Sequence, residues 1–359
     1  MIIISQIISC IQTLCGVKNN KIKYELSQNY INKYENNSYT NDKSFISNNQ
    51  NKNEFLYVIL PYFNYCYSMS RFKLFIEFVK RYSIDDNIRI CIIEGRLKGE
   101  SYQLPDSHFN VYKHIAISIE DPIWIKENLI NMMVSMLPKN WKYIAWIDAD
   151  ITFLNRNWAS DTLESLKTND FVQLFQTAVN MGPNDEAFKI DRSFGFMYKC
   201  SGHEWNKVHK YGFWHCGYAW ACTRYAYDTV GGLIDFGILG SGDHHMSLAI
   251  IGKVAMSHPE SIHENYKHLL LEFESKCIKN NLQLNYIPGT ILHHWHGSLK
   301  NRKYQERWLI LTKNKYDPTE DVYYNEYGVL GLSESGKRFV PMLKEYFNER
   351  NEDATVNDV

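Results

Sequence analysis

Asp148-Ala149-Asp150 sets two carboxylates one residue apart, directly behind the apolar run Tyr143-Ile144-Ala145-Trp146-Ile147. A run rich in β-branched and aromatic residues reads as a buried strand, and in open α/β sheets ligands settle beyond the carboxyl ends of the strands. Acids held this close repel, so one pKa rises or a cation is recruited, and a hard divalent ion such as Mg²⁺ or Mn²⁺ can then bridge to phosphate oxygens. A solvated turn after a strand would carry the same tripeptide, so the pattern alone selects weakly. Two clusters lie downstream. In Gly240-Ser241-Gly242-Asp243-His244-His245-Met246 the glycines permit close backbone approach. Met246, Ala249 and Ile250 at helical spacing put Asp243 at a helix start, as a reactive acid or as a simple N-cap. In Ile291-Leu292-His293-His294-Trp295-His296-Gly297 the imidazoles crowd together, and imidazole nitrogen is compatible with Mn²⁺ beside carboxylate and phosphate oxygen. If that segment is extended, His294 and His296 face one side and Trp295 the other.

The elements that must position these groups alternate between α and β. Residues 55–60 read as a strand, 67–82 as a helix with Met69, Phe72, Phe75, Ile76 and Val79 on one face, and 88–93 as a second strand. Residues 124–137 look helical and stop before Pro138, after which 143–147 delivers the acidic pair. A helix-like stretch at 162–167 precedes a short strand at 171–175, and 338–350 reads as a terminal helix with Phe339, Met342, Leu343 and Phe347 inward. No internal repeat is present. This order predicts a mostly parallel sheet flanked by helices, in a single domain over 55–315 followed by a helical appendage at 316–359.

Composition bounds the partners. The 359 residues are 45% hydrophobic and 14% aromatic, enough for a full core, and 39 basic against 40 acidic side chains leave no surface field that recommends a nucleic acid. Cys10, Cys15, Cys66, Cys91, Cys200, Cys216, Cys222 and Cys277 form no CxxC pair, which fits reduced thiols in a cytoplasmic compartment. Residues 1–17 are apolar but short of the roughly twenty that span a bilayer, and no basic residue precedes them as in a signal peptide. No transmembrane segment is therefore expected. Ile4, Ile8, Ile11 and Cys15 share a helical face, which packs on the body or, alternatively, touches a membrane peripherally. From 18 to 54 the chain turns to Asn, Lys, Ser and Tyr, the composition of a linker. Residues 1–54 are thus set apart from the domain.

Gly217-Tyr218-Ala219-Trp220, Arg224, Val230-Gly231-Gly232-Leu233 and the Gly240–Met246 loop together resemble the acceptor segment of GT-A glycosyltransferases, particularly the family 2 and β-1,4-galactosyltransferase-like inverting enzymes. Val58-Ile59-Leu60-Pro61-Tyr62-Phe63-Asn64 resembles that family's first strand and nucleotide-binding turn, and Trp146–Ile151 its DxD segment. The resemblance implies a GT-A, Rossmann-like fold and a metal-dependent hexosyltransferase. It would move sugar from a nucleotide-sugar, a UDP-sugar first, to a hydroxyl on a glycan, glycoprotein or small acceptor, with inversion and with Mn²⁺ (or Mg²⁺) as cofactor. It further implies Asp243 as the base, and Asp148 and Asp150 with His296, or else His294, as metal ligands. Pro61, Tyr62, Phe63, Asn64, Glu94, Asp148, Asp150, Lys300 and Arg302 fall to the nucleotide-sugar, and Trp214, Tyr218, Gly242 and His244 to the acceptor.

The chain departs from the family pattern at Gly242, where an acid is usual, and at His244-His245. Trp205, Tyr211, Phe213, Trp214, Tyr218 and Trp220 crowd before the acidic loop, where rings could stack on sugar C–H faces or simply fill the core. Lys300, Arg302 and Lys303 could neutralise a departing diphosphate or form a solvated basic turn. Asp243-His244-His245 is also the signature of DHH-type metal phosphoesterases, although an apolar strand should then precede the triplet directly. A non-catalytic sugar-binding protein is the third reading, favoured only if the metal ligands fail to converge.

Overall fold

The computed structural model describes residues 54–105, 110–201 and 214–354. The expected N-terminal helix and linker over 1–53 lie outside the described residues, as do Trp205, Tyr211 and Phe213. In chain order come β1 (Leu56–Phe63), α1 (Met69–Tyr82), β2 (Ile88–Leu97), β3 (Lys113–Ile119), α2 (Lys126–Ser135), β4 (Tyr143–Ile147), β5 (Ile151–Phe153), α3 (Trp158–Ser165) and β6 (Phe171–Gln173). The second half adds β7 (Thr177–Met181), β8 (Ala187–Ser193), α4 (Phe194–Ser201), β9 (Trp214–His215), β10 (Ala219–Thr223), α5 (Arg224–Val230), α6 (Gly242–Ile250), α7 (Glu264–Lys279), β11 (Leu284–Tyr286) and β12 (Thr290–His293). The chain closes with α8 (Arg307–Lys313), β13 (Val322–Tyr324), β14 (Leu330–Leu332) and α9 (Val340–Glu349).

Seven strands form one sheet in the order β11-β6-β10-β4-β1-β2-β3, in which only β10 runs antiparallel to its neighbours. Both faces are covered, so the central strands are continuous apolar runs whose alternate residues feed separate cores. Tyr57, Ile59, Ile93, Ile144 and Trp146 join Leu129 and Met133 of α2 and Leu248 of α6 on one face. Leu56, Val58, Leu60, Ala145 and Ile147 join Phe75, Phe78 and Val79 of α1 on the other. Asp148 shares the parity of Ile144 and Trp146 and therefore points toward α2 and α6. A second sheet, β5-β12-β7-β8-β9, pairs β12 antiparallel to β5 with His293 opposite Ile151. That register brings the histidine segment back onto the acidic pair.

Most expected elements are present with shifted ends. Helix α3 starts four residues before the helix-like stretch predicted at 162–167, because Trp158 stacks on Phe153 at 4.3 Å and anchors its first turn. Pro61 inside β1 costs no ladder bond toward β4, since that pairing ends at Ile59–Trp146. β1 and β4 then diverge and leave a cleft. The C-terminal segment also reaches this region. Asp353 accepts from the backbone of Met69 and Ser70 at the start of α1, and Trp295 donates its indole N–H to the carbonyl of Ala354. Gly297 makes the crossing possible: it has φ +91, and a Cβ there would lie 2.7 Å from the carbonyl oxygen of Asn351. No helix among the described residues is long and apolar enough to cross a membrane.

Candidate active site

Strand order reverses between β1 and β4, the place where doubly wound sheets bind ligands. The cleft there is lined by Pro61, Tyr62 and Phe63 from β1, by Asp148, Ala149 and Asp150 after β4, and by Lys126, His296, Arg71, Arg302 and Arg350. Two clusters reach it, one through Asp150 and His296 and the other through Lys126 and Asp148.

The first is Asp150 with His293 and His296, whose ligand atoms all lie within 4.8 Å of one another. Nε2 of His296 is 2.8 Å from Oδ2 of Asp150, and Nε2 of His293 is 3.3 Å from Nε2 of His296. Oδ1 of Asp150 is buried without a hydrogen bond, an orphan that normally costs about 1–3 kcal/mol and that a cation would satisfy. The tautomer of His293 fits as well. Asn180 donates its amide to Asp191 at 2.9 Å, so its Oδ1 faces Nδ1 of His293 at 3.0 Å and the hydroxyl of Tyr218 at 2.8 Å as an acceptor. Nδ1 of His293 must then carry the proton, which leaves the Nε2 lone pair turned toward Asp150, the arrangement a metal-ligating imidazole needs. Burial holds His293 well below the ordinary histidine pKa, hence neutral. Burial also opposes ionisation of Asp150, but His296, bonded to it, together with Arg302 overrides it and keeps its carboxyl well below the usual range. One carboxylate and two imidazole nitrogens suit a divalent first-row ion.

The second cluster links Asp148 to Asp243. Nζ of Lys126 lies 2.7 Å from Oδ1 of Asp148 and 2.9 Å from Oδ2 of Asp243, while the indole N–H of Trp146 donates to Oδ1 of Asp243 at 3.2 Å. Asp243 stands in the first turn of α6, whose N-cap is Ser241 at φ 84 without a side-chain cap bond. The carboxylate of Asp243 holds no helix end; it lies behind Lys126, whose ammonium lines the cleft. Burial works against the charge of Lys126, yet Asp148 and Asp243 outweigh it and hold the ammonium well above its ordinary range.

Beside it, Glu127 is buried and accepts from the indole N–H of Trp124 at 3.1 Å. A Cβ on Gly242 would come within 2.5 Å of its Oε1, so glycine stands there because Glu127 fills the space. Burial, against the pull of Lys126, pushes Glu127 up to about 8. Its folded pKa exceeds the ordinary 4.5, so between these values the folded state holds a proton that the unfolded state releases, and stability falls as pH rises through that window. Glu127→Gln should remove this dependence: its melting temperature is expected to gain several degrees on wild type between pH 5 and pH 9. A constant difference across that range, measured by calorimetry, would mean Glu127 is ionised throughout.

The remaining expected residues divide. Arg302 enters the cleft, with Nη2 at 2.7 Å from Nε2 of His296. His294 does not, because β12 ends at His293 and strand alternation stops; its Nε2 lies 2.7 Å from Oγ1 of Thr152, and His293 takes the place expected of it. Tyr218 is buried, stacks on His215 at 3.8 Å and holds Asn180, so it supports the histidines and offers no acceptor surface. Glu94 is likewise buried and accepts from the backbone N–H of Gln103 at 2.6 Å, fixing a loop. Asn64 shapes the turn after β1 through Ser68, bonding its backbone N–H at 2.9 Å and its carbonyl at 3.0 Å. Lys300 pairs with no acid among the described residues and is absent from the cleft lining, while Trp214 packs on Phe194 and lies 5.8 Å from the His244 ring. His245 is saturated by Ser257 and Tyr266, so the Asp-His-His triplet does not converge as a phosphoesterase centre requires.

Sequence patterns missed Lys126, Arg71, Arg350 and Glu352. Glu352 pairs with Arg71 at 3.1 Å and Arg350 at 2.6 Å and lies 3.8 Å from Nδ1 of His296, so the C-terminal segment walls the cleft. Lys126 had a signal: a Lys-Glu pair between Trp124-Ile125 and Leu129-Ile130, on a helix buried nearly all round.

No family model and no curated protein sequence matches the chain. Among solved structures it is similar to a Drosophila β-1,4-galactosyltransferase 7 variant in complex with manganese, UDP-Gal and xylobiose, at 12% identity and TM-score 0.37 over 80% of this chain and 98% of that one. It is similar to the mannosyltransferase from Pyrobaculum calidifontis in complex with GDP-Man and Mn²⁺, at 14% identity and TM-score 0.42 over 90% and 76%. It is also similar to glucosyl-3-phosphoglycerate synthase from Mycobacterium tuberculosis with Mn²⁺, UDP and phosphoglyceric acid, at 9% identity and TM-score 0.34 over 67% and 71%.

Proposed function

We propose that the chain is a GT-A-type, metal-dependent glycosyltransferase that moves a sugar from a nucleoside-diphosphate donor, a UDP-sugar, to a hydroxyl acceptor with inversion. The observation that carries this reading is that two clusters contribute to one cleft at the sheet's switch point: Asp150–His293–His296, able to hold a divalent ion, lines it through Asp150 and His296, and Asp148–Lys126–Asp243 lines it through Asp148 and Lys126, whose ammonium anchors the carboxylate of Asp243. Asp150, His293 and His296 would hold Mn²⁺ or Mg²⁺, which when bound would supply positive charge for the diphosphate. The guanidinium groups of Arg71, Arg302 and Arg350 line the same cleft and can bind its remaining phosphate oxygens. Asp243 accepts the proton of the acceptor hydroxyl as that oxygen bonds to the anomeric carbon and the carbon–phosphate-oxygen bond breaks. Attack from the face opposite the leaving group inverts the anomeric centre. Holding both reactants in one cleft removes a bimolecular encounter and can lower the barrier by several kcal/mol, about 7 at the least for ideal alignment.

Release of UDP or GDP from a panel of nucleotide-sugars, with Mn²⁺, Mg²⁺ or chelator present, tests the proposal without knowledge of the acceptor. Slow, metal-dependent hydrolysis of one donor is expected. Hydrolysis of a phosphodiester with no turnover of any nucleotide-sugar would transfer the site to the phosphoesterases.

A further inference from the structure

Resting on that reading, we propose that Lys126 is a positioning residue which ties the donor-side carboxylate Asp148 to the base Asp243 and so sets the spacing of the two reactants. Lys126 is 6% exposed and opens α2, where the helix has no side-chain cap. Both placements are unfavourable for a cation: burial removes its hydration, and a helix N-terminus carries partial positive charge. Burial and helix position alone therefore do not explain the residue. Its ammonium contacts instead two carboxylates delivered by separate elements, at 2.7 Å and 2.9 Å. Asp148 follows β4 on the side of the Asp150 cluster, whereas Asp243 comes from α6 after the glycine loop. Trp146, the residue two before Asp148, also holds Asp243, so the acidic strand grips the base twice. Without the ammonium, Asp148 and Asp243 would face one another as unscreened like charges beside buried Glu127 and would separate. Such a shift, of about 1 Å, costs on the order of 10² in rate by misaligning attack.

Two properties should move in opposite directions. Lys126→Met keeps length and volume but removes the charge, so kcat for transfer is expected to fall about 10²-fold while donor KM changes less than threefold. Calorimetric affinity for Mn²⁺ alone is expected to rise, roughly tenfold, because a neighbouring cation has gone and Asp148 is released. Lys126→Arg, which restores a cation able to bridge two carboxylates, should recover part of kcat and return metal affinity toward wild type. Unchanged kcat in Lys126→Met would overturn the proposal. So would metal affinity and melting temperature falling together in both variants, which marks a structural residue. A wild-type chain that turns over no nucleotide-sugar would remove the glycosyltransferase reading; the Mn²⁺ titrations would still decide whether Lys126 governs Asp148.

Discussion

Asp150→Ala is expected to abolish Mn²⁺-dependent binding of UDP while leaving the fold intact. Asp150 contributes the only carboxylate of the described three-residue cluster, and its buried Oδ1 makes no hydrogen bond that the fold would lose. Its Oδ2 contacts His296 at 2.8 Å, and Arg302 beside that ring can take over part of the contact. A lost contact of that kind is worth about 1 kcal/mol, a small change in melting temperature for a domain of this size. Metal affinity should fall by well over the 10–100-fold typical of supporting residues, because a ligand itself is removed. His293→Ala and His296→Ala should each weaken the metal as well, since both rings supply a nitrogen within the 4.8 Å cluster. UDP binding in Asp150→Ala that equals wild type, with and without chelator, would remove the metal role.

Asp243→Asn should lower transfer to a hydroxyl acceptor by about 10² or more, with metal-dependent donor binding near wild type. An amide oxygen still accepts from Trp146, whose indole now reaches Oδ1 at 3.2 Å, and Lys126 keeps its second partner Asp148. What the amide cannot do is take a proton at neutral pH. Ser241, and not Asp243, occupies the N-cap position of α6, so the substitution removes no cap. Stability should fall by about 1.5–3 kcal/mol, because Lys126 loses one of its two charged partners. Near-native transfer by the variant would sink the base assignment, whereas a collapse in melting temperature would show that Asp243 chiefly holds the two lobes of the cleft together.

Legibility followed the kind of signal each feature leaves. Strand β4 and the acids behind it were readable because a doubly buried strand is a continuous apolar run with an abrupt polar end. Asp243 was readable because flanking glycines and a following apolar helix mark a loop-to-helix junction. The choice among His293, His294 and His296 was not, since it depends on where β12 stops, and one residue of extension reverses which rings face Asp150. Strand β3 left a weak pattern because most of its residues are only half-buried at the sheet edge. Lys126, Arg71 and Glu352 are set by tertiary closure: their partners are far away in the chain, and no local period links Lys126 to Asp243 or Arg71 to Glu352. Gly242 shows the same limit in reverse. Its place opposite an acidic side chain became intelligible only when Glu127 was found filling the space beside it.

The central claim is that Asp150, His293 and His296 hold a divalent ion that receives a nucleoside diphosphate in the β1–β4 cleft. Crystals soaked with Mn²⁺ and UDP, and read by anomalous scattering at the manganese edge, test it most directly. The account predicts one strong anomalous peak within coordination distance of all three side chains, with the diphosphate in the same cleft beside Arg302. Manganese bound elsewhere, or UDP ordered in the cleft with no metal at these residues, would contradict it.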